Sequence, residues 1–127
     1  MRVESELVSQ RNRELTAIFL NLLGDGRVAK DVMFSAACMP SSRFWISPEN
    51  AQRYIKLRLA GSWGNKGNEL TMGVRRIDAI IERCHGDFSY ENIINVVESP
   101  APCFFLERGS AINIIYNTLR ERRTNKK

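Results

Sequence analysis

The sequence predicts a mainly α-helical domain with a small two-stranded sheet. It is an α+β fold, made by internal duplication of a helix-helix-strand-helix unit with pseudo-twofold symmetry. Three observations predict it. The stretch Pro40 to Ala60, PSSRFWISPENAQRYIKLRLA, reads as a short strand running straight into a Ser-capped helix. A copy returns at Pro100 to Leu119, PAPCFFLERGSAINIIYNTL: Pro40, Phe44, Ala51, Ile55 and Leu59 recur without a gap as Pro100, Phe104, Ala111, Ile115 and Leu119. Apolar residues recur at helical spacing through most of the remaining chain.

The first helix is expected to start before Arg11 and run to Leu23. Leu15, Ile18, Phe19, Leu22 and Leu23 form a core-facing stripe, and Gly24-Asp25-Gly26 ends it in a tight loop. A second helix follows over roughly 28–38, with Val32, Met33, Ala36 and Ala37 inward, and Pro40 stops it. Arg43-Phe44-Trp45-Ile46 then reads as a strand. Ser47 is placed as N-cap and Pro48 as the first residue of a helix to Ala60, with Gly61 as the stop. Residues 61–71, GSWGNKGNELT, are rich in glycine and read as a hinge between the halves. Trp63 is expected to pin that loop by burying its ring, with nucleobase stacking as the alternative.

The second half repeats the order. Arg13, Ala17, Ile18, Gly24 and Asp25 are matched by Arg75, Ala79, Ile80, Gly86 and Asp87. The repeats span about 11–61 and 73–120 of a single domain. The next stripe is Val74, Ile77, Ile80, Ile81 and Cys84, and Ser89 is expected to cap a helix over 90–98. RFWI and its counterpart CFFL are apolar on both faces, so both faces need covering. They are expected to pair antiparallel across the pseudo-twofold axis. Two copies suit a closed unit rather than an open solenoid.

The 127 residues are one domain's worth of chain, and 43% apolar content is ordinary for a globular protein. No apolar run is long enough for a bilayer, and the amino-terminal residues have no apolar signal core, so no membrane is implied and a cytoplasmic protein is expected. Cys38, Cys84 and Cys103 show no C-x-x-C spacing; they read as small buried hydrophobes in a reducing compartment, with no metal site and no cofactor.

The net charge of +5 is unevenly placed. The end of the chain, RERRTNKK over 120–127, holds five basic residues against one acid and reads as a basic tail. The first copy carries Arg43, Arg53, Lys56 and Arg58 against Glu49. The second carries Asp87, Glu91, Glu98 and Glu107 against Arg108. Arg43, Arg53, Lys56 and Arg58 can present charge to phosphates, as can Arg120, Arg122 and Arg123 of the tail. The competing readings are a solvated helix face and a disordered solubilising end. Cys84, His85 and Asp87 are the only set resembling a catalytic group, but neighbours on a helix point about 100° apart, so no enzyme is expected.

The segment Pro40 to Ala51, P-x-x-R-F-W-I-S-x-E-x-A, resembles one in small, mostly uncharacterised proteins of gut Bacteroidales and their phages. There a proline, an Arg-aromatic-aromatic strand and a Ser-capped helix follow one another. In the second copy Cys103 replaces Arg43 and Glu107 replaces Ser47. The resemblance implies a phage or mobile-element origin, where DNA-binding regulators and virion components are both common. The resulting expectation is a non-catalytic nucleic-acid-binding protein whose partner is duplex DNA. The alternative is a protein–protein interaction module, such as a virion component or an inhibitor of a host factor.

Overall fold

Ser47, Thr71 and Ser89 start three helices by one device. Each hydroxyl oxygen accepts the backbone N–H three residues on, from Asn50 at 3.2 Å, Val74 at 3.2 Å and Asn92 at 3.3 Å. Gly24 and Gly86 follow the ends of two helices, the second being the one that Thr71 starts, with φ of 55° and 84°, left-handed values that favour glycine. The computed structural model describes residues 3–26, 29–63 and 71–124. Among them are six helices: α1 (Val3–Leu23), α2 (Lys30–Ala37), α3 (Pro48–Leu59), α4 (Met72–Cys84), α5 (Tyr90–Val97) and α6 (Arg108–Thr124).

The helices do not pack in chain order. Leu7, Leu15 and Phe19 of α1 form one core with Met33, Ala36 and Ala37 of α2 and with Ala111 and Ile115 of α6. Ala51 and Ile55 of α3 form the other with Ile77, Ile80 and Cys84 of α4 and Ile93, Val96 and Val97 of α5. The third helix of each sequence repeat therefore packs on the first two helices of the other repeat. The repeat in sequence is not the unit of packing.

The exchange happens in the two segments expected to be strands. They cross between the cores, and adjacent side chains go to opposite sides. Phe44 and Ile46 enter the α3–α5 core, and Trp45 enters the α1–α2–α6 core. Phe104 enters the latter while Phe105 packs on the former, its ring 5.9 Å from that of Phe44. Both-faced apolarity thus has the expected consequence of cover on both sides. Each buried Phe contributes about 1.5–3 kcal/mol.

The expected two-stranded sheet, however, is absent among the described residues; its remnant is a single antiparallel bridge between Ser41 and Ala101. The hydrogen bonds give the reason. Ser41 and Ala101 exchange N–H and C=O at 2.9 and 3.0 Å. The next donors that a ladder would need, on Met39 and Ser99, close the last turns of α2 and α5 onto Ala36 and Val96. Phe44 and Phe104 donate instead to Val97 and Ala37, the final carbonyls of α5 and α2, at 2.9 and 3.0 Å. Pro40, Pro100 and Pro102 have no N–H to offer. The bonding pattern repeats itself: each partner in the first copy has its counterpart sixty residues on.

Side chains fasten the crossing. Arg76 of α4 donates to the carbonyl of Trp45 at 3.0 Å, and the Arg83 guanidinium lies 5.3 Å from the centre of the Phe44 ring. Glu107, in the position that Ser47 occupies in the first copy, accepts the N–H of Met72 at the start of α4, at 2.8 Å.

Candidate nucleic-acid interface

The candidate interface rests on α3. Its Ser47 cap and Pro48 at the first turn fix where the helix begins, and Ala51 and Ile55 anchor its inner face in the core. That leaves Arg53 and Lys56 exposed on the outer face, three residues apart and so neighbours on the helix surface. The Arg53 guanidinium lies 5.0 Å from the centre of the Tyr54 ring, and the Tyr54 ring lies 4.9 Å from that of Trp63. Trp63 is half-buried against the α3–α5 core, which is the pinning role expected of it. Residues 64–70 of the hinge lie outside the described residues.

Arg58 does not join that face. It donates through Nε and Nη2 to the two carboxylate oxygens of Asp78 on α4, at 2.8 and 3.0 Å, and through Nη1 to the carbonyl of Trp63 at 3.4 Å. Its side chain is only 16% exposed. The hydrogen bond to Asp78 raises its pKa further above the ordinary arginine value. Arg58 therefore ties α3 to α4. Arg43 also turns inward upon its own segment. It donates to the carbonyls of Phe44 and Ile46 at 3.0 and 3.4 Å, and its guanidinium lies 5.7 Å from the centre of the Trp45 ring. Of the four cations expected on this face, two remain on it.

The basic tail is helical in its described part. Residues 120–124 continue α6, because the helix runs on to Thr124. Arg120 and Arg122 are exposed on it; the side chain of Arg123 and all of residues 125–127 lie outside the described residues. Cations in the last turn also suit the negative end of the helix dipole. Arg122 shares a shallow groove of about 210 Å³ between α1 and α6 with Arg13, Glu121 and Thr118. Arg13 was not legible as a partner from sequence, since only the packing of α6 on α1 brings it there. The α3 and α6 cations thus belong to different cores.

Cys84, His85 and Asp87 are kept apart in role. Cys84 is buried, and burial, with a smaller effect from Asp87, pushes its thiol pKa up. His85 is exposed at the left-handed end of α4, and Asp87 accepts the N–H of Ser89 at 3.1 Å. Cys38 departs from the expected burial: it is exposed. Among the described residues no three His, Cys, Asp or Glu side chains gather as metal ligands, and no helix is long and apolar enough to cross a membrane. Comparison with protein-family models, with curated proteins and with solved structures gives no match.

Proposed function

We propose that this is a small non-catalytic nucleic-acid-binding protein that grips the phosphates of duplex DNA. One patch is Arg53 and Lys56 on α3. The other is Arg122, with Arg13 beside it, at the α1–α6 groove, where Arg120 and Arg123 adjoin in sequence. The observation that carries the reading is the exposure of Arg53 and Lys56 on the outer face of a helix anchored from behind. A rigid helix presenting cations suits phosphate contact, which positions a protein without reading bases. A phage or mobile-element origin, implied by the Pro40–Ala51 segment, accords with such a role.

The test is a salt titration of affinity for a short DNA duplex. Each cation that touches a phosphate adds about 0.9 to the slope of log K against log salt. Arg53→Glu with Lys56→Glu is expected to lower both affinity and slope. Arg13→Gln with Arg122→Gln is expected to lower them less. Truncation at Arg120 is unsuitable, because it would remove the helical turn that lines the groove. Unchanged affinity and slope in both double variants would reject DNA binding by these patches.

A protein-interaction module is the second reading. Its support is the withdrawal of Arg43 and Arg58 from the basic face, together with Leu59, which is 57% exposed at the end of α3. That reading predicts association with a protein partner that survives high salt.

A further inference from the structure

Two of the three cysteines are accessible, and the crossover brings them together. Cys38 is exposed and Cys103 half-buried, whereas Cys84 is buried. The N–H of Phe104 donates to the carbonyl of Ala37 at 3.0 Å. Cys38 follows that acceptor and Cys103 precedes that donor, so each Cα lies within about 3 Å of its end of the bond. The two Cα atoms thus lie no more than about 9 Å apart, a limit that includes the separation of about 4.4–6.8 Å that a disulfide spans. The exchange between Ser41 and Ala101 holds the same two segments together a few residues away. Burial raises the pKa of the Cys103 thiol, and the neighbouring Cys38 adds a smaller rise. The duplication offers an independent sign: Cys38 and Cys103 take the places that Glu98 and Arg43 hold in the other copy. The pair across the crossing at Cys38 and Cys103 is thus the counterpart of the pair Glu98 and Arg43, an acid and a base in place of two thiols.

We propose that Cys38 and Cys103 form a reversible intramolecular disulfide, with a low-molecular-weight disulfide as oxidant. The exposed Cys38 thiolate attacks one sulfur of the oxidant, forming a mixed disulfide and expelling one thiolate. The Cys103 thiolate then attacks the Cys38 sulfur and expels the second. Two protein thiols are oxidised to one disulfide, one oxidant disulfide is reduced to two thiols, and the protons from Cys38 and Cys103 end on the released thiols. The closed loop runs from the end of α2 to the second crossing segment and contains all of α3, α4 and α5. Oxidation would therefore staple the second crossing segment to the end of α2. This goes beyond nucleic-acid binding and does not depend on it.

The experiment incubates the full chain with oxidised glutathione and maps its peptides by mass without reduction. The expected product links the Cys38 and Cys103 peptides, about 2 Da lighter than the two thiol peptides together. Cys84 remains a thiol, the melting temperature rises, and dithiothreitol reverses both changes. In Cys103→Ser the reaction is expected to stop at a Cys38–glutathione mixed disulfide. The proposal is overturned if the unaltered chain also stops there with Cys103 still a thiol, or if Cys38 links two chains instead.

Discussion

The indole N–H of Trp45 donates to the hydroxyl of Ser41 at 2.6 Å, and both residues are buried. The same hydroxyl donates to the carbonyl of Arg43 at 2.9 Å. Ser41 also exchanges backbone hydrogen bonds with Ala101, so one small residue organises the point where the two copies cross.

Ser41→Ala is expected to lower stability by about 1–3 kcal/mol, because it strands the buried indole N–H. Trp45→Phe removes that donor along with part of the ring. The two changes together should cost less than the sum of the single losses. Denaturant unfolding of the four proteins measures this, and strict additivity would mean that the bond contributes nothing.

Ser47→Ala is expected to cost about 0.5–2 kcal/mol through loss of the cap on Asn50. Because the Ser47 side chain anchors the start of the helix that carries Arg53 and Lys56, DNA affinity should weaken with it. An unchanged melting midpoint would show that α3 holds its first turn without the hydroxyl.

Arg58→Ala and Arg53→Ala should separate structure from binding. Arg58→Ala removes the tie to Asp78 and is expected to lower the melting temperature by a few degrees with little change in salt slope. Arg53→Ala is expected to do the reverse. A fall in salt slope for Arg58→Ala at unchanged stability would place Arg58 on the binding face.

Tyr90 donates its phenol hydrogen to Glu49, joining the start of α5 to the start of α3. That hydrogen bond, then burial and the charge of Glu49, raises the phenol pKa above its ordinary value of 10.0. A folded pKa above the unfolded one means stability that is fully present below pH 10 and lost as pH rises through the folded value. Tyr90→Phe should thus be less stable than the unaltered chain at neutral pH. The gap should close in strongly alkaline solution. A gap independent of pH would assign the difference to packing.

The exchange of third helices predicts that neither half folds by itself. Residues 1–63 place α3 without α4 and α5, and residues 64–127 place α6 without α1 and α2. Each fragment alone is expected to show little helical circular dichroism, and an equimolar mixture to regain it. Independent folding of residues 1–63 would contradict the two cores described above.

Local chemistry determined where α3, α4 and α5 begin and where α1 and α4 end. Ser47 and Ser89 cap by hydrogen bonds within three residues, Gly24 and Gly86 reach left-handed φ without a Cβ, and prolines withhold a donor wherever they stand. Those rules need no knowledge of the rest of the chain, and most of the apolar stripes at 15–23 and 74–84 follow from helical periodicity in the same way, although Leu22, expected to face the core, is 45% exposed. The duplication was legible for the same reason, as matched residues at fixed offsets.

Only the tertiary structure decided which helices share a core. Two copies with matching stripes can bury the third helix against either pair, and sequence does not distinguish the two arrangements. The choice is made at the crossing, where Ser41 pairs with Ala101, and where Phe44 and Phe104 donate to the helix-end carbonyls of Val97 and Ala37 rather than to each other. The same non-local geometry sorted the cations. A helical position says that Arg58 lies near the edge of a basic face, but Asp78 twenty residues on turns it into a strut, while Arg53 and Lys56 stay exposed. An ion pair between helices depends on their packing, and that packing is a property of the whole fold.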